Sequence, residues 1–321
     1  MIHVEPRELS VRDVHWLLLG GVAPRPIALV STISASGTVN LSPFSFYNAF
    51  GANPPVVAFS PSTRGRDGTK KDTYRNIMET RECVIQAVTY DLVQQVSLAS
   101  TEFLPEVDEF VKAGLTPEPS DLVRPPRVKE SPFQMECRLM QMVPLGDGPV
   151  SGNLAICEVV KFHAADDLFE RGIIVPDRID LVGRNSGNWY TRASGAAVFE
   201  VPKPTERHGI GVDRLPDHIR TSRILSGNNL AQLAGVEAVP TAEEARRVLS
   251  GLDRSVAPEV SAEAFSRAAR RNDFEAMLAI AASMTDLPRD ERRHLLELTA
   301  KTALDEGDVY FGWAALLLIV D

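Results

Sequence analysis

The sequence is short of cysteine, of net positive charge and of long apolar runs, and each shortage excludes a class of protein. Only three cysteines occur among 321 residues, Cys83, Cys137 and Cys157. They are odd in number, far apart and each set inside an apolar run, which gives neither a disulfide framework nor the paired spacing of a zinc site. They read as reduced, small core residues. The formal net charge is −9 and the pI near 5.3, so the chain lacks the basic footprint that sequence-independent nucleic-acid binding needs. The longest apolar run, WAALLLIV at 313–320, falls far short of the ~20 residues of a membrane-spanning helix. The first ten residues, MIHVEPRELS, carry charge where a signal peptide has its apolar stretch. A soluble, cytoplasmic protein without nucleic-acid or membrane partners is expected.

Familiar catalytic signatures are missing as well. There is no H-E-x-x-H, no G-x-S-x-G and no G-x-G-x-x-G; GIGVDR at 209–214 lacks the third glycine and follows no strand. The six histidines (His3, His15, His163, His208, His218 and His294) show no ligand spacing and are expected to be structural or exposed. Ser186 in GRNSGNWY has no His or acid that can be assigned to it, so a hydrolase is poorly supported. No metal site is expected, and no pair of carboxylates stands out for acid–base work.

What is present is an ordinary globular composition, 44% hydrophobic and 24% charged, in a chain long enough for about two domains. Apolar, β-branched runs predict strands over 26–34, 55–60, 82–88, 133–143 and 153–163, with helices over 70–80, 90–101 and 106–113. Strands outnumber helices without regular alternation, which favours a mainly β fold, a barrel with helical insertions, over a doubly wound sheet. Residues 203–240, rich in Pro, Gly and charge, read as a linker or wrapping arm. From Thr241, an N-cap followed by an acidic first turn, apolar residues recur at three- and four-residue spacing through the segments starting at 261, 272, 288 and 308, predicting a C-terminal α-helical domain over 241–321. The first domain would then span 1–202.

Two stretches carry the chemistry. TRGRDGTKKDT at 63–73 joins a strand to a helix, but its glycines are too close for a triphosphate loop. Lys70, Lys71, the Thr73 hydroxyl and the free N–H groups of a helix start still make an anion site; the plainer alternative is a solvated basic turn capped by Asp72 or Thr73. NLSPFSFYNAFGANPP at 40–55 mixes hydroxyls, amides, aromatics and prolines, which suits neither a core strand nor a surface loop. A wall of hydroxyls and aromatics beside a phosphate-sized anion site fits a flat, hydrogen-bonding ligand with a terminal phosphate, and FMN answers that description.

In order along the chain, RPIALVST, a glycine turn, NLSPFSFYN, NPP before a strand ending in Ser60, and KDTYRN resemble the flavin reductase-like family with its FMN-binding split-barrel fold. SPFQMECRLMQMVPLG, GNLAICEVVKFHAAD and VGRNSGNWYTRASG are similar to its later strands and its C-terminal G-R…Y element. The resemblance covers roughly residues 15–200. It implies a split β-barrel that binds FMN, or FAD, and accepts hydride from NADH or NADPH onto flavin N5, in a homodimer that can feed reduced flavin to a partner monooxygenase. It places Leu29, Val30, Ser31 and Thr32 along the isoalloxazine; the family often has Trp at the position of Leu29, which leaves the ring's stacking partner open. It places Ser42, Pro43, Phe44 and Ser45 at the ring edge and ribityl chain, and Ser60 near the ribityl or phosphate. Lys71, Asp72 and Thr73 fall at the phosphate, and Arg184 toward the cofactor or the dimer partner. Two alternatives stand beside the reductase: an FMN enzyme acting on its own aromatic or nitroaromatic substrate, with the tail building the pocket, and a non-enzymatic flavin-binding electron carrier.

Overall fold

The computed structural model describes residues 1–201, 208–241, 243–244, 247–248 and 259–319. The chain divides into two compact units, Met1–Glu200 and Val201–Asp321.

The first unit is built on seven strands: β1 (Ala28–Ile33), β2 (Val39–Phe44), β3 (Tyr47–Ala52), β4 (Pro55–Phe59), β5 (Glu82–Gln86), β6 (Phe133–Pro144) and β7 (Asn153–Ala164). They form one antiparallel sheet in the order β2-β1-β5-β6-β7-β4-β3. All five strands expected from apolar runs are present; β2 and β3 are additional and lie in the mixed 40–55 segment. These two strands are the opposite edges of the sheet, yet only Ser45 and Phe46 join them. Two residues bridge at most about 10 Å, so the sheet must curl until its edges nearly meet. The result is a split barrel with its seam at residues 45–46. Register shifts at Glu136/Cys137 and Leu139/Gln141 mark bulges where the long β6–β7 pair bends.

Strand β1 lies inside the sheet and is covered on both faces, so that every residue from Ala28 to Thr32 is buried. Ala28 and Val30 face the barrel interior with Phe44, Phe59 and the three free, buried cysteines. Leu29 faces outward with Leu41, Val96 and Phe110, beneath α3 (Val93–Ala99) and α4 (Glu109–Ala113). Helix α2 (Asp72–Thr80) adds Ile77 to the interior cluster. Helix α1 (Val11–Gly21), which apolar patterning did not flag, buries none of its residues.

The second unit is helical: α5 (Gly227–Ala234), α6 (Ala262–Ala269), α7 (Phe274–Ser283), α8 (Arg289–Asp305) and α9 (Val309–Leu317). Ser226, Ser261, Asp273 and Asp308 each accept a hydrogen bond from the N–H three residues on, at 2.9–3.2 Å, the usual way of satisfying a free helix start. Thr241 acts as the cap, its Oγ1 accepting from Glu244 N at 3.3 Å; most of the helix expected after it lies outside the described residues. The segment 203–240 is not extended where it is described. Leu215, Ile219, Leu225 and Leu233 are buried with Trp313, Leu304 and Phe311, and Trp313 Nε1 donates to Leu233 O at 3.2 Å. Its Pro, Gly and charge punctuate short helices around those four apolar anchors. Residues 203–207 of that segment lie outside the described residues.

Candidate functional site

The seam and the start of α2 bound a cavity of about 400 Å³, within the usual range for small-molecule sites. One wall is Pro43, Phe44, Ser45 and Phe46, where β2 passes into β3; another is Ser60, Ser62, Thr63 and Arg64 after β4. Lys71 and Glu102 lie at one end, and His15, Leu19, Arg25 and Arg184 also line it. A smaller neighbouring cleft, lined by Ser42, Asp72, Thr73 and Glu109, shares Arg64, Lys71 and Glu102 with it.

Helix α2 begins at Asp72, with Lys71 as its N-cap and no side chain closing the first turn. Neither Asp72 nor Thr73 caps it. The Asp72 carboxylate instead holds Arg64, whose Nη2 donates to Oδ2 at 2.9 Å, and Arg75. The Arg64 Nη1 donates to Lys70 O at 2.8 Å, while its Nε is buried without a hydrogen-bond partner. Lys70 is engaged, its Nζ donating to Asn153 Oδ1 at 2.5 Å and lying over the Tyr74 ring. The Lys71 ammonium has no hydrogen bond or ion pair among the described residues and lies 5.5 Å from the centre of the Phe44 ring. Burial pulls its pKa down; the Glu102 carboxylate opposes that and Arg64 adds to it. An unsatisfied guanidinium N–H, an unpaired ammonium and an uncapped helix start converge here. Each favours an anion, and the buried Arg64 Nε in particular costs free energy until an acceptor arrives.

A buried polar web fixes this end in place. Thr73 Oγ1 donates to Asn40 Oδ1 at 2.8 Å, Asn40 Nδ2 donates to Glu109 Oε1 at 3.0 Å, and Leu41 N donates to Glu109 Oε2 at 3.0 Å. Thr73 therefore ties α2 to β2, and Glu109 ties α4 to the same strand. Burial raises the Glu109 pKa, against the pull of the Leu41 N–H and the Asn40 amide.

At the other end Arg25, only 4% exposed, gathers three segments. Its guanidinium donates to Leu19 O and Val22 O at 2.7 and 2.5 Å, to Asn185 O at 3.0 Å and to Ser45 Oγ at 3.4 Å. The end of α1, the G-R turn and the seam are thus pinned by one side chain. Arg25 and Arg184 also exchange backbone hydrogen bonds at 2.9 and 2.8 Å. That close approach requires Gly183, because a Cβ there would stand 2.7 Å from Pro24 Cβ. Burial, and then the Arg184 charge, lower the Arg25 pKa.

Of the residues singled out by sequence, Pro43, Phe44, Ser45, Ser60, Lys71 and Arg184 line the main cavity, and Ser42, Asp72 and Thr73 the cleft beside it. Ser60 Oγ accepts from Asn153 N at 3.0 Å. Leu29, Val30, Ser31 and Thr32 are not brought to either opening. All four are fully buried in β1, between β2 and β5. The Ser31 hydroxyl donates to Pro126 O and the Thr32 hydroxyl accepts from Asn76 Nδ2. Sequence reasoning passed over Arg64 and Arg25, which stood inside quoted motifs, and also Glu102 and His15. His15, expected to be structural or exposed, lines the cavity and meets Phe46 edge-on at 6.3 Å. Elsewhere in the unit Asp121, Glu136 and His163 are grouped. Glu136 already accepts four hydrogen bonds, from His163 Nε2 and the N–H groups of Asp121, Leu122 and Val123. Its acceptor sites are full, and the group braces the 119–126 loop.

Residues 20–180 match the family model of the flavin reductase like domain. The chain belongs to that family. The flavin reductase-like unit is 39% identical over 204 residues to an uncharacterized protein of Halalkalibacterium halodurans, covering 63% of this chain and 96% of that one. Among solved structures it is similar to nitrilotriacetate monooxygenase component B from Bacillus cereus, at 33% identity and TM-score 0.59 over 63% of this chain and 98% of that one. It is also similar to 2-nitrobenzoate 2-nitroreductase of Pseudomonas fluorescens, at 26% identity and TM-score 0.55 over 63% and 96%. The helical unit lies beyond the family match.

Proposed function

We propose that this protein is an NAD(P)H:flavin reductase that holds FMN, with FAD as the alternative flavin, in the cavity at the barrel seam. The observation that carries the reading is the phosphate-sized end of that cavity, where Lys71 is unpaired and Arg64 Nε unsatisfied at the uncapped start of α2. In this reading Lys71, Arg64 and the first N–H groups of α2 hold the phosphate, and Asp72 orients Arg64. Ser42, Ser45 and Ser60 offer hydroxyls to the polyol and ring edge. Phe44 and Phe46 give the apolar wall, and His15 and Leu19 on α1 cover it from the side. Arg25 keeps the seam and α1 in register with the G-R turn, placing Arg184 at the far end. Bound FMN supplies the two-electron acceptor, so the protein needs an open face for nicotinamide rather than a proton relay. No acid–base pair is required of the chain.

The homodimer belongs to the same reading. Phe50 on β3 is 67% exposed and Trp189 75% exposed, with Trp16 and Leu17 of α1 also exposed, apolar side chains that a second copy would cover. Among the described residues no helix is long and apolar enough to cross a membrane, and we place the protein in the cytoplasm. The similarity to a monooxygenase component supports a partner monooxygenase that takes up reduced flavin. The similarity to a nitroreductase supports a second reading, an enzyme that keeps FMN and reduces its own nitroaromatic substrate. NADH and NADPH oxidation with and without free FMN separates them: turnover that rises with free FMN is expected. Tightly bound flavin with negligible oxidation of either nucleotide, unless a nitroaromatic is added, would overturn the reductase in favour of the second reading.

A further inference from the structure

Among the residues lining the main cavity there is a single carboxylate, and it stands at the anion end. Glu102, on the stretch following α3, places Oε1 3.8 Å from Arg64 Nε and Oε2 3.6 Å from Arg66 Nη1. Both separations are too long for hydrogen bonds, and Arg64 Nε stays unsatisfied. Glu102 also bears on Lys71, whose charged form it favours. The carboxylate therefore faces the same cations an incoming phosphate would use without closing a hydrogen bond to any of them. Asp72, the other carboxylate at this end, is already taken up by Arg64 and Arg75, which leaves Glu102 as the acid facing Lys71 and the bare Arg64 Nε.

We infer that Glu102 is a tethered competitor for the phosphate site and sets how tightly a phosphorylated flavin is held. The inference rests on the flavin reading above and deepens it, from which ligand binds to how readily it leaves. A phosphate entering beside Lys71 and Arg64 meets a like charge and must share both cations with it. Like charges about 4 Å apart repel, and more strongly where the site is partly shielded from water. A doubly charged phosphate feels this more than once, so roughly a tenfold weakening is the scale to expect. The cost falls on FMN and spares riboflavin, which has the same ring and polyol and no phosphate. The site is thereby tuned for exchange, as a protein that releases reduced flavin to a partner requires. A prosthetic flavin would be better served by a neutral residue at this position.

The test is Glu102→Gln in the full-length protein, at a side chain 45% exposed whose replacement leaves the core untouched. Dissociation constants for FMN and riboflavin are measured by flavin fluorescence at fixed ionic strength. The variant is expected to bind FMN about tenfold more tightly, through slower release, and riboflavin within twofold of the wild type. Unchanged or weaker FMN binding, or equal tightening of both flavins, overturns the inference while leaving the flavin reading in place. If the wild type binds neither flavin, the proposed function falls. Glu102 is then read with inorganic phosphate alone, through the shift it causes in thermal unfolding. A larger shift in Glu102→Gln supports the competitor role, and an equal or smaller one overturns it.

Discussion

Lys71 does at the scale of one residue what the anion end as a whole requires: it brings a half-buried charge that has no hydrogen bond or ion pair among the described residues. Lys71→Ala is expected to weaken FMN about tenfold or more, as loss of a charge-assisted contact costs roughly 1.5–3 kcal/mol, and to leave riboflavin nearly unchanged. Titrating both flavins checks it, and equal weakening of the two would remove Lys71 from the phosphate. This residue was legible in the sequence because charge, a helix start and a nearby hydroxyl fall within four positions. Arg25 and Arg64 were not. The role of Arg25 depends on Asn185, 160 residues away in the chain, and that of Arg64 on an Nε left bare by the fold. Ser31 and Thr32, which the family resemblance set along the isoalloxazine, have hydroxyls that bond within the protein.

At the scale of elements, apolar runs revealed the interior strands and concealed the edges. Strands β1, β4, β5, β6 and β7 have neighbours on both sides in the sheet and are built largely from apolar residues. The edge strand β3 pairs only with β4 and exposes most of its length, so its Asn, Gly and Ala left no strand-like pattern. Helix α1 escaped notice for a related reason, since it turns no face into a core. Glu136 offers an element-level prediction that depends on pH. Burial alone would push its carboxyl up; the Asp121 N–H, His163 and the Leu122 N–H outweigh it and hold the pKa below the ordinary 4.5. The folded state then binds the proton less readily than the unfolded one. Its stabilisation is full above pH 4.5 and is lost as pH falls through the depressed value. Glu136→Gln is expected to cost about 2–4 kcal/mol at pH 7, by leaving buried N–H groups poorly paired, and the gap to the wild type should narrow on acidification. Urea-dependent hydrogen exchange of the β6 amides measures both; a gap independent of pH would show that the carboxylate charge is not what braces the loop.

At the scale of the whole molecule, the chain carries a cavity-bearing barrel and a helical unit with a core of its own. The boundary at Glu200 makes a sharper deletion experiment than one placed at the first strongly periodic helix. Truncation after Glu200 is expected to give a folded protein that still binds FMN and oxidises NAD(P)H. Truncation after Pro240 strands Leu215, Ile219, Leu225 and Leu233 without α8 and α9, and is expected to aggregate; gel filtration and a flavin titration of the two products decide it. A truncation at Glu200 that folds and has lost flavin binding would instead make the helical unit part of the site. The two-residue seam has a consequence for how such proteins can diverge. Side chains at Ser45 and Phe46 can be exchanged, but chain length there cannot: one inserted residue would turn every side chain of β3 to the opposite face, or force the barrel open. Insertions and deletions in this lineage must therefore avoid the seam, and a gap-free join between the end of β2 and the start of β3, from Phe44 to Tyr47, is the mark that shared ancestry should leave on its members.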